Sequence, residues 1–243
     1  MRVRTEDEFH KPYQEIARNT FGKLLDRMQF NVIGQENLQF LRNPEQTARE
    51  TAIFAFFPHT THVDSPVVRW AIPADLRINL IYPAAADYWY KGGLIGYVMG
   101  VMSSLAVPNF PMQRGSGSTS GIYESLDIAQ NFLQRYSLVM SFEGTRSNLP
   151  NDRRQFHTGG AELAIRSGRP IIPVALVGLE QVLPKGRALP SFRENGEKRI
   201  VKVSFGKAIE APVAAGNRSR LRKDFTEHIR EESIKLCLEA REV

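Results

Sequence analysis

Two hydrophobic periods share this chain. Over residues 6–28, Phe9, Tyr13, Ile16, Thr20, Leu24 and Met28 recur at three- and four-residue steps, with Phe21 and Leu25 beside them, the spacing of an amphipathic helix. Pro12 falls in its first turns, where a missing N–H costs little. Short apolar runs follow: AIFAFF (52–57), INLIY (78–82), SLVMSF (137–142), IIPVALVG (171–178) and IVKVSF (200–205). These have the length and composition of strands. Between them lie helical patterns. Residues 122–136 carry Ile122, Leu126, Ala129, Phe132, Leu133 and Tyr136 on one face, and GAELAIRSG ends at Gly168, a residue suited to a helix C-terminus. Residues 218–239 read as a surface helix with charges of both signs. Strand and helix in alternation predict an α/β fold: a single domain with a central, mostly parallel twisted sheet flanked by helices. The N-terminal amphipathic helical segment (1–29) precedes the α/β domain (30–243). In such sheets ligands gather at the carboxyl ends of the strands.

Composition narrows the partners. The 243 residues are 42% hydrophobic, enough for one sizeable core. A single cysteine, Cys237, excludes an internal disulfide and points to a reducing compartment. The net charge of +6 and pI of about 9.5 favour anionic partners such as phospholipid headgroups or coenzyme A. With no RNA-binding signature, finger spacing or long basic block, nucleic acid is not expected. The N-terminus lacks the apolar core of a signal peptide. Residues 92–113 carry no charge, but their glycines, serines, asparagine and prolines make a poor spanning helix. The run reads as a buried or membrane-facing surface. The N-terminal helix likewise has two readings: packed on the domain, or docked on lipid. Residues 114–121, RGSGSTSG, read as a flexible loop.

The first candidate site is FFPHTTHVDSPVV, residues 56–68. His59 directly follows a predicted strand. Pro66 fits the first turn of a helix and Asp64 or Ser65 its N-cap. Three readings stand side by side. In the first, Asp64 simply caps the helix. His59, His62 and Asp64, with His157, could hold a metal, although the spacing is not that of a helical zinc pair. Or His59 is a general base whose tautomer Asp64 fixes. No G-x-S-x-G elbow and no reactive-cysteine signature supplies a nucleophile, so the third reading draws the nucleophile from the substrate, as a hydroxyl.

A second candidate, SFEGTRS (141–147), follows another predicted strand and gathers Glu143, Gly144, Thr145 and Arg146. A glycine–arginine turn with exposed N–H groups can cradle a phosphate; it can equally be an ordinary turn with a surface arginine. Arg114 ends VPNFPMQR, between the uncharged run and the glycine–serine loop. That position suits an amphiphile with an anionic head, or merely ends a buried segment.

Taken in order, these blocks resemble the glycerolipid acyltransferase family, which contains the lysophosphatidic acid acyltransferases. The family's His-x4-Asp is HTTHVD, His59 to Asp64. Its strand-then-arginine block is VPNFPMQR, ending at Arg114. Its Phe-Pro-Glu-Gly-Thr-Arg-Ser is SFEGTRS, and its apolar strand with proline is RPIIPVALVG, centred on Pro173. The likeness spans roughly residues 30–206. Departures are Pro58 where many members have Asn, no proline inside the third block, and His157 in place of the lysine of Phe-Lys-x-Gly. They leave the His–Asp pair intact and bear on the acceptor.

The resemblance implies an O-acyltransferase moving a fatty acyl group from acyl-CoA or acyl carrier protein to a lysophospholipid hydroxyl, 1-acyl-glycerol-3-phosphate first among acceptors. Another lipid or a glycoside hydroxyl is the alternative. His59 and Asp64 would be catalytic, and Arg114, Glu143, Gly144, Thr145 and Arg146 would bind substrate on the phosphate side. Glu143, which cannot bind phosphate when ionised, would orient an arginine or the acceptor's hydroxyl. Pro173 would flank the donor, and residues 92–113 would wall the acyl chain. No metal or resident cofactor is implied. The expected place is cytoplasmic, peripheral on the inner face of the membrane. A His/Asp metallohydrolase and a non-catalytic lipid-binding domain are the rival classes.

Overall fold

The computed structural model describes residues 11–42, 50–86, 101, 103–113, 119–184, 187, 189–213 and 216–242. Its strands are β1 (Gln29–Ile33), β2 (Ile53–Phe57), β3 (Leu80–Ala85), β4 (Asn109–Met112), β5 (Ser137–Met140), β6 (Ile171–Val177), β7 (Arg193–Glu194), β8 (Glu197–Lys198) and β9 (Ile200–Phe205). Seven lie in one sheet in the order β1-β9-β6-β2-β5-β3-β4, and β7 and β8 make a separate hairpin. Every pairing in the large sheet is parallel except β6 with β9. The mostly parallel sheet of a single α/β domain is therefore present.

Helices cover both faces: α1 (Pro12–Leu25), α2 (Asp64–Ala71), α3 (Ala74–Arg77), α4 (Thr119–Phe132), α5 (Gly159–Ser167), α6 (Leu179–Val182) and α7 (Arg218–Glu242). β2, fully buried, shows why. Its side chains alternate, so Phe54 and Phe56 join a core with Leu25 of α1 and Val67 and Val68 of α2. Ile53 and Ala55 point the other way, to Leu126 of α4, Leu163 of α5 and Ile229 of α7. A strand buried on both faces must be apolar throughout, which is how IFAFF reads.

Several expectations shift. β3 begins at Leu80, not 78, and runs on to Ala85; Ile78 stays 55% exposed. β1 and β4 are absent from the apolar-run pattern. Both are edge strands, β1 only half-buried, and β4 contains Pro111, which an edge tolerates because it asks fewer ladder hydrogen bonds of the backbone. Gly168 does close α5, at φ 65°.

The largest correction concerns α1. Only the far end of its expected apolar face turns inward, through Phe21, Leu25 and the following Met28; Tyr13 and Ile16 are exposed, and Gln14, Arg18 and Gly22 are buried in their place. Glu15 explains this, since it pairs with both Arg18 and Arg69 of α2. Gly22 lies flat on Trp70, where a Cβ would come within 2.3 Å of the indole ring. α7 also does more than present charge, because Phe225, Ile229, Cys237 and Ala240 are buried beneath it.

Within the uncharged run, Val107, Asn109 and Phe110 are buried; residues 92–100 and 102 lie outside the described residues. The same holds for Phe9 of the N-terminal segment and for most of the 114–121 loop. Among the described residues no helix is long and apolar enough to cross a membrane.

Candidate active site

Strand register brings two of the candidate segments together. β2 and β5 are parallel neighbours with Ala55 opposite Met140. The chain leaving β2 at Phe57 reaches His59 two residues later, and the chain leaving β5 at Met140 reaches Glu143 three residues later. Both therefore emerge at the carboxyl edge of the sheet, side by side.

After the cis Phe57–Pro58 bond, the loop folds around one carboxylate. Asp64 is fully buried. Its Oδ2 accepts from His59 Nδ1 at 2.7 Å and from the backbone N–H groups of Thr60 and Thr61 at 2.8 and 3.0 Å. Its Oδ1 accepts from the Thr61 hydroxyl at 2.6 Å. Asp64 is thus not the N-cap: Val63 holds that position without a side-chain cap, and Asp64 is the first residue inside α2. The carboxylate turns back to the loop, and its charge still complements the positive end of the helix. An ionised carboxylate only accepts, so the imidazole proton sits on Nδ1 and Nε2 is left with its lone pair. His59 keeps 22% of its side chain exposed and meets Phe56 edge to face.

Glu143 faces inward rather than toward a ligand. Its Oε2 accepts the backbone N–H of His59 at 2.6 Å, and its Oε1 accepts from Arg154 Nη1 at 2.8 Å. Burial raises its pKa, while the His59 N–H and Arg154 pull it down. The arginine it orients is Arg154, not Arg146. Arg154, 4% exposed, spreads its fork over three carbonyls: Nε to Leu149, Nη2 to Ser147 and Nη1 to His59. Its own carbonyl accepts from Arg230 of α7. Ser147 N–H donates back to His59 C=O at 3.0 Å. The two strand-end loops are therefore one unit, and removing one member of the buried Glu143–Arg154 pair would cost roughly 3–5 kcal/mol.

In front of this unit lies a cavity of about 610 Å³, within the usual range for small-molecule sites. His59, His62, Gly144, Thr145, Arg146 and His157 line it. Gly144 has φ 66°, and a Cβ there would meet His157 at 2.9 Å, so both conformation and space require glycine. The cavity reaches both faces of the sheet, touching Tyr82 and Val107 on one side and Leu126 and Phe142 on the other. The part of the uncharged run from Ser103 to Gln113 contributes to its wall; Pro173, buried in β6, does not. Arg114 lies outside the described residues.

His62 sits at the open side of the cavity. Desolvation first, then the positive charge of Arg146 and repulsion from His59, push its pKa down to about 4. His62 is therefore neutral near pH 7. Both oxygens of Asp64 are engaged within the loop, and among the described residues no three His, Cys, Asp or Glu side chains are grouped to hold an ion. Cys237 is no nucleophile either, because burial pushes its thiol up to about 12.

Sequence reasoning missed Arg154, Glu162, Arg222 and Tyr82. Arg153 and Arg154 are adjacent, yet one is exposed and the other buried; nothing in their spacing tells them apart.

A family model described as Acyltransferase matches residues 29–177. No curated protein matches the chain in sequence. Among solved structures the chain resembles the 1-acyl-sn-glycerophosphate (LPA) acyltransferase PlsC from Thermotoga maritima. The TM-score is 0.56 at 17% identity, over 94% of this chain and 84% of that one; at that identity the likeness is one of fold.

Proposed function

Because the chain belongs to the acyltransferase family, we propose that it transfers a fatty acyl group from an acyl thioester to a hydroxyl of a lysophospholipid, with 1-acyl-glycerol-3-phosphate as preferred acceptor. The donor is carried on coenzyme A or acyl carrier protein. The observation that carries this reading is the 2.7 Å contact between His59 Nδ1 and Asp64 Oδ2 at the wall of a large, mainly apolar cavity.

The chemistry suits a single base. A thiol has an unperturbed pKa of about 8.5, so a thiolate leaves without strong acid help. An alcohol attacks well only while losing its proton. His59 Nε2 takes that proton as the hydroxyl oxygen bonds to the thioester carbonyl carbon. The tetrahedral intermediate then collapses, the C–S bond breaks, and the imidazolium returns its proton to the departing thiolate. Asp64 keeps the ring oriented and stabilises its positive charge.

Arg146, Thr145 and Gly144 bind the acceptor's phosphate side in this scheme, with Arg114 as a further cation. Arginine offers phosphate a planar, two-pronged donor, and Arg146 lines the same cavity as His59. Glu143 contributes indirectly, by holding the His59 backbone and Arg154. Apolar wall around Val107 and Leu126 takes the acyl chain, where each buried CH₂ contributes about 0.8 kcal/mol. The protein works in the cytoplasm, peripheral on the inner membrane face where its acceptor resides. The outward Tyr13 and Ile16 of α1 support that placement.

Incubation of radiolabelled acyl-CoA or acyl-carrier protein with a panel of lysophospholipids, neutral lysolipids and glycosides tests the reading. Label should pass fastest to 1-acyl-glycerol-3-phosphate. Equal transfer to neutral acceptors would remove Arg146 from phosphate binding, and no transfer to any hydroxyl would end the proposal.

A further inference from the structure

α5 and α7 meet at the cavity wall through one carboxylate and two guanidinium groups. Arg218 Nη2 donates to Glu162 Oε1 at 2.8 Å. Arg222 Nη1 makes a looser ion pair with Glu162 Oε2 at 3.6 Å, beyond hydrogen-bond range. Two polar atoms are left over. Glu162 Oε2 and Arg222 Nε are both shielded from solvent, and neither has a hydrogen-bond partner. Glu162 and Arg222 both line the cavity that holds His59.

Buried polar atoms are almost always matched, and among the described residues Glu162 Oε2 is the one buried carboxylate oxygen without a hydrogen-bond partner. Charges serving only to fasten two helices would close on one another, as Arg218 and Glu162 do. Here one acceptor and one donor stay open beside the cavity, and they complement a ligand that offers an N–H and a carbonyl a short distance apart. A phosphate does not fit, because its oxygens would face the Glu162 carboxylate.

We propose that Glu162 and Arg222 form a subsite for the amide groups of the donor's pantetheine arm. This rests on the acyl-thioester reading above. The β-alanine unit of that arm carries an N–H at one end and a carbonyl at the other, three single bonds apart. Glu162 Oε2 accepts the N–H, and Arg222 Nε donates to the carbonyl. Coenzyme A and acyl carrier protein present the same arm, so the subsite serves either.

The test compares three thioesters of one fatty acid: acyl-pantetheine with both amides, acyl-N-acetylcysteamine with only the thiol-side amide, and a plain alkyl thioester with none. Ratios of kcat/KM between donors do not depend on how much protein is folded. The wild-type protein should prefer acyl-pantetheine to the alkyl thioester by about a hundredfold, about tenfold for each hydrogen bond. Arg222→Leu should lose about tenfold with both amide-bearing donors. Glu162→Leu, or Glu162→Gln should the first not fold, should lose it with acyl-pantetheine alone. A preference that survives in both variants, or is absent from the wild-type protein, would overturn the subsite. So would a change confined to the acceptor KM, which would place the bound group on the acceptor. A wild-type protein that uses no thioester at all contradicts the acyltransferase reading instead.

Discussion

His59 is held at its ring and at both ends of its peptide. Asp64 fixes the imidazole, Glu143 accepts the backbone N–H, and Ser147 and Arg154 donate to the carbonyl. Such restraint sets where Nε2 points, and a misplacement of about 1 Å can cost on the order of a hundredfold in rate. His62 plays a different part. With its pKa lowered from 6.5 to about 4, it releases its proton well below neutrality. The folded protein therefore binds that proton less readily than the unfolded chain, and acid between those two values disfavours the fold at this residue. His62 therefore carries little charge near neutrality and is not expected to set the acid limb of the rate. The pH profile of kcat/KM in His62→Gln should keep the acid midpoint within about 0.3 units of wild type; a displacement of a full unit would show that His62 titrates with the base. The His–Asp pair was legible because both residues lie in one short loop after a strongly apolar strand. Arg154 was not legible, since its partners come from residues up to 95 positions away and only the folded loops bring them together.

Among the elements, those buried on both faces announced themselves. β2 and β6 read as apolar runs for that reason, and β9 for its one fully buried face. Edge strands β1 and β4 carry a weaker pattern because each has only one neighbour and a half-exposed face. α1 was recognisable as a helix, but its inward face was not. Periodicity reports where apolar residues lie, and here ion pairing by Glu15 and the flat contact of Gly22 on Trp70 decide the docking. Tyr13 and Ile16 are left outward on a basic protein. Amphipathic helices of this kind bind lipid through apolar area plus attraction to anionic headgroups. Flotation with anionic liposomes should carry the protein upward, and an Ile16→Asp, Tyr13→Ser variant should float several-fold less with its solution activity on a soluble acceptor retained. Equal flotation of both would assign lipid contact to another surface.

At the scale of the whole molecule, the parallel sheet delivers function by alignment. β2 and β5 place His59 and the glycine–arginine turn at one edge, and a cavity crosses that edge to touch both hydrophobic cores. The α/β architecture was readable from alternating elements. The shape of the cavity was not, because it arises from where α4, α5 and α7 stand relative to the sheet. Everything proposed about chemistry depends on a proton passing to His59. The most direct measurement is the turnover of His59→Ala with acyl-CoA and 1-acyl-glycerol-3-phosphate, made on protein whose thermal unfolding matches wild type. Loss of a general base predicts a fall of about 10²–10⁴-fold, roughly 3–5 kcal/mol of barrier; turnover close to wild type would contradict it.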